Sequence, residues 1–344
     1  MNNKQKKVSL ISRNKSFRFY EASEFWRTAL VDIEIEFNEN GIENFRNSDL
    51  SLNFFVPTYG CPGNSFSDKE IENFTKKFSE FSVKQKAHVK DFFNGYNHAL
   101  SDYRTLYSCN FKNDRLNLLS FSESNIGNPV EQFNFSENTY SRSSLNYLLG
   151  LSFFQQEVPE FIPSRVLEIG GGFGTLGEIL TKCNIPNCKY IDLDLHPMYK
   201  IASEYAKNVF ETVEIFELEN FSKEKIEIDR LSKLNYLPNS AIENLNGKID
   251  LFVNFISFQE MEPEIVENYA FHIQRLEPEF LLLRNLREGK QKKANGNLGV
   301  KKPILKDDYF FFFDNYKLKA SNTIPFGHKT VDGFHSELMI LERK

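Results

Sequence analysis

The segment Glu168-Ile-Gly170-Gly171-Gly172-Phe-Gly174 decides the fold. It follows the apolar run Arg165 to Ile169, which predicts a β-strand, and it leads into a helical pattern that begins at Gly174. Glycines between a strand and a helix let the backbone adopt positive φ and approach a ligand closely. The first turn of the helix presents free amides and a partial positive charge. The segment therefore predicts a ligand-binding loop at the edge of an α/β sheet.

Short apolar runs alternate with helical patterns from Pro159 to the end of the chain. This alternation predicts βαβ units and a mostly parallel, doubly wound sheet. The last two apolar runs have no convincing helix between them, so we expect an antiparallel last strand. The predicted strands are 165–169, 189–193, 213–218, 249–256, 280–284, 309–313 and 337–341.

The first half of the chain has a helical pattern instead. Apolar residues at helical spacing predict helices over about 22–37, 71–81 and 84–107, and the capping box from Ser67 to Glu70 precedes the second of them. We therefore divide the chain into a helical N-terminal region, residues 1–158, and an α/β ligand-binding domain, residues 159–344.

Composition and charge exclude several classes of protein. The chain has 344 residues, 40% of them hydrophobic, and a net charge of -5, so no global basic field recruits nucleic acid. The basic run from Lys4 to Arg18 is typical of a solvated tail. No run approaches the ~18 apolar residues of a membrane span, and no apolar stretch follows the N-terminal charges as in a secretory signal.

The four cysteines indicate free thiols rather than a metal site or disulfides. Cys61, Cys109, Cys183 and Cys188 form no Cys-x-x-Cys pair and lie near no histidine cluster at zinc spacing. Free thiols are typical of a reducing compartment, so we expect a cytoplasmic protein. Asp307-Asp308 indicates a solvated turn, and no metal site is predicted.

Two kinds of ligand compete for the glycine loop. Gly172-Phe-Gly174-Thr-Leu-Gly177 satisfies the dinucleotide pattern Gly-x-Gly-x-x-Gly, whereas Glu168 with Gly170, Gly172 and Gly174 gives an acid followed by Gly-x-Gly-x-Gly. A carboxylate at position 168 would repel a pyrophosphate but suits a cation without phosphate. S-adenosylmethionine (SAM) has an ammonium, a sulfonium and no phosphate, so the loop predicts this cofactor. A nicotinamide-dependent dehydrogenase is the alternative.

An acid at the end of the second strand is expected to accept from the ribose hydroxyls of the cofactor. The chain offers Asp192 and Asp194 there. Asp194 is followed by Leu195-His196-Pro197, which opens the next helix, so Asp194 is the preferred candidate. The other aspartate then serves as a turn or cap carboxylate.

Polar residues follow the fourth strand, at Asn254, Ser257 and Glu260. Ligands of open α/β sheets bind beyond the carboxyl ends of the strands, which predicts that these three lie near the reacting methyl group. Two alternatives stay open. Asn254 and Ser257 could serve only to satisfy nearby backbone groups, and Glu260 could be a surface carboxylate.

Together these segments resemble the sugar O-methyltransferase family of bacteria, within the class I SAM-dependent methyltransferases. The resemblance is carried by Val166 to Gly174, Ile191-Asp-Leu193, and Asp250 to Asn254 with Ser257-Phe-Gln-Glu-Met261. It extends to Ile126-Gly-Asn-Pro129 and, near the N-terminus, to Phe25-Trp26 and Asn44-Phe45-Arg46. The family usually has a proline directly after the aspartate of the second strand, and this chain does not.

The resemblance implies a Rossmann-like sheet, SAM as cofactor and a sugar hydroxyl as acceptor, free or in a nucleotide- or lipid-linked glycan. It also implies a role in polysaccharide biosynthesis. A hydroxyl is a poor nucleophile at neutral pH, so a base is expected. The candidates are Glu260, His335, His328 and His196, of which Glu260 and His335 are preferred. A nitrogen or carboxylate acceptor and an inactive assembly subunit stay open, as does a homodimer.

Overall fold

A computed structural model describes residues 19–48, 50, 54–55, 68–76, 78–218, 224–293 and 299–344. The helices are α1 Glu24–Asn44, α2 Asp68–Lys76, α3 Val83–Phe93, α4 Tyr96–Asn110, α5 Arg142–Glu157, α6 Thr175–Lys182, α7 Met198–Val209, α8 Pro263–Arg275 and α9 Asp308–Phe312. The strands are β1 Phe133–Phe135, β2 Asn138–Tyr140, β3 Arg165–Ile169, β4 Lys189–Asp194, β5 Ile215–Glu217, β6 Ile226–Glu227, β7 Leu234–Pro238, β8 Leu245–Asn246, β9 Leu251–Phe255, β10 Phe280–Leu286, β11 Tyr316–Asn322, β12 His328–Lys329 and β13 His335–Arg343. The basic run from Lys4 to Arg18, Cys61 and Ser67 lie outside the described residues.

The central sheet confirms the predicted α/β fold class. Its strand order is β11-β13-β10-β9-β3-β4-β7-β5, and neighbours from β10 to β5 pair in parallel. The last strand, β13, runs antiparallel between β10 and β11, as predicted. β3 lies in the middle, so the glycine loop that follows it emerges at the centre of the carboxyl edge.

Both faces of the sheet are covered, which explains why its inner strands are apolar on both sides. One core cluster joins α4 and α5 to α6 and one face of the sheet. A second cluster joins α8 and α9 to the other face. α5 is buried along nearly its whole length because it lies between the N-terminal elements and the sheet.

The prediction of a strand over Tyr309–Phe313 is wrong, because this segment forms α9. Tyr309 and Phe313, four residues apart, are fully buried, whereas Phe311 is 78% exposed. This spacing is helical, and the unbroken run of aromatic residues concealed it. The edge strand is β11 instead.

Two further elements differ from the sequence pattern. The predicted helix over 84–107 is two helices, α3 and α4, because Gly95 between them has φ 83°. The sequence pattern also does not predict β7, which lies between β4 and β5 in the sheet.

Within the described part of the chain, no helix is long and apolar enough to cross a membrane. The division of the chain at residue 158 stays a prediction.

Candidate functional site

The glycine loop has the backbone conformation that its sequence predicts. Gly170, Gly172 and Gly174 have φ of 76°, 65° and 93°, where side chains are disfavoured. A Cβ on Gly170 would lie 2.5 Å from the Ser257 side chain, and one on Gly171 would lie 2.7 Å from Asp192 Oδ1. The loop therefore needs glycine both for its backbone angles and for its close packing.

A cavity of about 300 Å³ lies above this loop, at the carboxyl edge of the parallel strands. Its walls come from the N-terminal region, from α5 and from the ends of β3, β4, β9 and β10. The polar or aromatic side chains in its lining include Glu21, Ser23, Trp26, Ser143, Asn146, Tyr147, Thr175, Asp194, Asn239, Ser257, Gln259, Glu260, Tyr269 and Lys290.

The two aspartates of β4 have different surroundings in the structure. Asp194 lines the cavity, and its carboxylate accepts from the N–H groups of Gly172 (3.0 Å) and Leu195 (2.6 Å). Asp192 is fully buried, accepts from the Gly171 N–H at 3.1 Å and does not line the cavity. Only Asp194 is thus placed to touch a ligand, while Asp192 supports the loop from behind.

Glu168 lies behind the loop as well. Its two carboxylate oxygens accept from the hydroxyls of Tyr147 (2.7 Å) and Tyr190 (2.5 Å), and the side chain is fully buried. It does not line the cavity. The charge of Glu168 is therefore placed to act on a ligand in the cavity through space.

The three carboxylates form a cluster of negative potential next to the cavity. Burial raises the pKa of Glu168 and of Asp194 to about 7, and repulsion between the carboxylates adds to the shift at Glu168. Burial and both neighbouring acids raise the pKa of Asp192 well above its ordinary value. Among the described residues no cationic side chain pairs with any of the three. Such a site favours a ligand that brings positive charge.

Asn254 and Ser257 fasten β9 to the end of β3. The Asn254 amide and the Ser257 hydroxyl both donate to the Ile169 carbonyl, at 2.9 and 2.8 Å. Ile256 between them has φ 75°, a strained conformation for a β-branched residue. Asn254 does not line the cavity and Ser257 does. The geometry thus gives Asn254 the local, backbone-satisfying role and leaves Ser257 within reach of a ligand.

Glu260 follows β9, and Asp194 ends β4, so the two acids lie on either side of β3 in the sheet order. Its carboxylate accepts from the Trp26 indole N–H (2.9 Å) and from Lys290 Nζ (2.5 Å), and only 8% of the residue is exposed. Glu260 is therefore a cavity residue and not a surface carboxylate. Lys290 also lines the cavity, although the sequence did not predict it as a site residue.

The second candidate base lies apart from Glu260. His335 begins β13, and its Nδ1 is 2.6 Å from Glu288 Oε1, while its N–H donates to the same carboxylate at 2.8 Å. It is not among the described residues that line the cavity. The structure therefore does not bring the two candidate bases together.

Two of the segments that carry the resemblance, residues 44–46 and 126–129, contact each other, and the first of them packs on the glycine loop. The Arg46 N–H donates to the Gly127 carbonyl at 2.9 Å, and a Cβ on Gly127 would clash with the Phe45 ring at 2.6 Å. Phe45 packs edge-on against Phe173 of the loop, and the Arg46 guanidinium lies 4.6 Å from the centre of that ring. Arg46 is itself held by an ion pair with buried Glu123 at 2.7 Å. These segments buttress the loop.

No family model matches this chain, and no curated protein matches it. Many solved structures do. The magnesium protoporphyrin IX methyltransferase ChlM from Synechocystis PCC 6803, solved with bound SAH, is 14% identical with a TM-score of 0.40, over 75% of this chain and 99% of that one. The mitomycin 7-O-methyltransferase MmcR is 13% identical with a TM-score of 0.37, over 59% of this chain and 55% of that one. The pyocyanin biosynthetic protein PhzM is 8% identical with a TM-score of 0.37, over 59% and 58%.

Proposed function

We propose that this protein is a SAM-dependent O-methyltransferase that acts on a sugar hydroxyl. The observation that carries the proposal is the buried carboxylate cluster next to the glycine loop. Asp192 Oδ2 is buried without a hydrogen-bond donor, and no described cation neutralises the cluster. A cationic, phosphate-free ligand fits this potential, whereas the pyrophosphate of a dinucleotide would be repelled.

Asp194 and the loop would hold the donor. The Asp194 carboxylate lines the cavity and has lone pairs left for ribose hydroxyls after it accepts from two backbone amides. Asn239, directly after β7, also lines the cavity, and it would contact the adenine ring of the donor. When bound, SAM supplies a methyl group that its sulfonium makes electrophilic.

Glu260 would take the proton of the acceptor hydroxyl. A carboxylate has about four lone-pair positions, so its bonds to Trp26 and Lys290 leave room for a hydroxyl donor. Those two bonds also fix the direction of the carboxylate, and alignment is the main contribution of an enzyme to such a displacement. His335 is not carried into this proposal, because it lies outside the cavity lining.

A sugar is favoured as acceptor by two features. The Trp26 ring lies 5.2 Å from that of Phe54, and both line the cavity, so the acceptor side has flat apolar faces as well as the Glu260 carboxylate. This combination suits a ring with hydroxyls at its edge and C–H groups on its face. The sequence resemblance supports the same acceptor, and from it we propose a role in bacterial surface glycan biosynthesis.

Transfer of a labelled methyl group tests the acceptor. The protein is incubated with methyl-labelled SAM and a panel of nucleotide-linked sugars, and the products are separated by acceptor class. We expect label in sugar, lost in Glu260→Gln and retained in Glu264→Gln, which alters an exposed carboxylate of α8. Label in a protein, a carboxylate or a nitrogen compound, with none in sugar, would contradict the proposed acceptor.

A further inference from the structure

Three carboxylates meet behind the glycine loop on one side of neighbouring strands. Glu168 and Asp192 are register partners on β3 and β4, and Asp194 lies two residues further along, on the same face of β4. Adjacent strands are about 4.8 Å apart, so the charges would lie within one or two strand spacings of each other. Like charges this close in a buried site cannot all be ionised at once.

Only neutral groups partner the cluster. Its hydrogen-bond donors are the hydroxyls of Tyr147 and Tyr190 and the amides of Gly171, Gly172 and Leu195. The other titratable groups that face it are also tyrosines, Tyr236 of β7 and Tyr269 of α8, and burial raises the pKa of both. No described lysine, arginine or histidine contributes to the charge balance of the three acids.

One acceptor atom of the cluster is left without a donor. Asp192 Oδ2 is buried and has no hydrogen-bond partner among the described residues. A buried carboxylate oxygen without a donor is costly when charged, and a bound proton removes that cost. The elevated pKa values near 7 of Glu168 and Asp194 agree with this geometry.

We propose that the cluster of Glu168, Asp192 and Asp194 stores a proton that is released when a ligand that carries an ammonium group occupies the adjacent cavity. The proton leaves a carboxylic acid of the cluster and enters the buffer, and the ammonium of the ligand keeps its own proton. The inference rests on the proposed function, since it takes SAM or its demethylated product S-adenosylhomocysteine as the ligand. It adds that binding is coupled to proton release.

Calorimetry in buffers of different ionisation enthalpy measures the released protons directly. S-adenosylhomocysteine and SAM are titrated into the full chain at pH 7 in phosphate and in imidazole, which both titrate near this pH. Because groups with a pKa of about 7 are half protonated at pH 7, we expect release of roughly 0.5 to 1 proton per site. Binding with identical heats in the two buffers at pH 7 would overturn the inference. Failure of both ligands to bind would instead refute the proposed function, and this inference with it.

The affinity of the unmodified protein provides a second readout that needs no variant. A single acid with a pKa of about 7 that must ionise for binding makes the dissociation constant of S-adenosylhomocysteine fall about tenfold between pH 6 and pH 8. An affinity that is constant from pH 6 to pH 8, or that weakens, contradicts the stored proton.

A variant tests whether the released proton comes from the cluster. Asp192→Asn removes the carboxyl whose buried Oδ2 lacks a donor, so proton release at pH 7 should fall at least threefold while binding stays measurable. Glu217→Gln is the matched control, because Glu217 lies at the same sheet edge but is paired with Lys207 at 2.8 Å. An equal decrease in proton release in both variants, or no decrease in Asp192→Asn, would contradict the origin of the proton in the cluster.

Discussion

Replacement of Asp194 by alanine should weaken donor binding without unfolding the protein. Asp194 is the one acid of the three behind the loop that lines the cavity, so it is the acid placed to accept from the ribose hydroxyls. A hydrogen bond to a charged acceptor contributes about 1.5–3 kcal/mol, which corresponds to a roughly 10- to 150-fold weaker dissociation constant. Alanine also removes the acceptor of the Gly172 and Leu195 amides, so some loss of stability accompanies the effect.

Titration calorimetry with S-adenosylhomocysteine measures this change. Circular dichroism of each variant shows whether the fold is retained, and Asp229→Asn, which alters a carboxylate 80% exposed on the surface, serves as the control. An Asp194→Ala dissociation constant within twofold of that of the unmodified protein would refute the assignment of the ribose acid. Loss of binding in Asp192→Asn but not in Asp194→Ala would transfer that role to Asp192.

Three further predictions concern the loop, the cavity wall and the N-terminal buttress. Gly170→Ala should lower donor affinity and lose about 1–3 kcal/mol of stability in urea unfolding, because its Cβ would lie 2.5 Å from the Ser257 side chain. Gly172→Ala meets no atom within 4 Å and should lose only about 1 kcal/mol of stability, because of its positive φ. Equal losses of stability in the two variants would contradict the packing argument. Trp26 is the single tryptophan, so its emission should change on addition of S-adenosylhomocysteine, and calorimetric binding with unchanged emission would contradict its place in the wall. Arg46→Met should lose about 3–5 kcal/mol in urea unfolding, because it leaves a buried carboxylate unpaired, and a loss below about 1 kcal/mol would contradict the buttress.

The fold and the donor side of the site could be predicted because their signals are local. The glycine loop, the strand before it and Asp194 lie within 30 residues of each other, and alternation of apolar runs gave the parallel sheet. The prediction of secondary structure failed where a run of aromatic residues showed no helical periodicity. The aromatic run at Phe310–Phe313 contains too few polar residues to distinguish a helix from a strand, and only the exposure of Phe311 does so.

The acceptor side could be predicted only in part, because it is made by distant segments. Trp26 and Glu260 are 234 residues apart in the chain and share a hydrogen bond, and no spacing rule connects them. The sequence also does not show in which direction a side chain points. Glu168 faces two tyrosines, one of them on α5, which the sequence could not place behind the loop. His335, a predicted base at the start of the last strand, is paired with Glu288 and does not line the cavity.

A crystal structure of the protein with S-adenosylhomocysteine tests most directly whether the cavity holds a phosphate-free nucleoside that carries an ammonium group. We predict density for the ligand above the glycine loop, with the ribose hydroxyls within hydrogen-bond distance of Asp194 and the sulfur facing the part of the cavity lined by Glu260. An empty cavity at saturating ligand, or a dinucleotide with its pyrophosphate on the loop amides under the same conditions, would contradict the account.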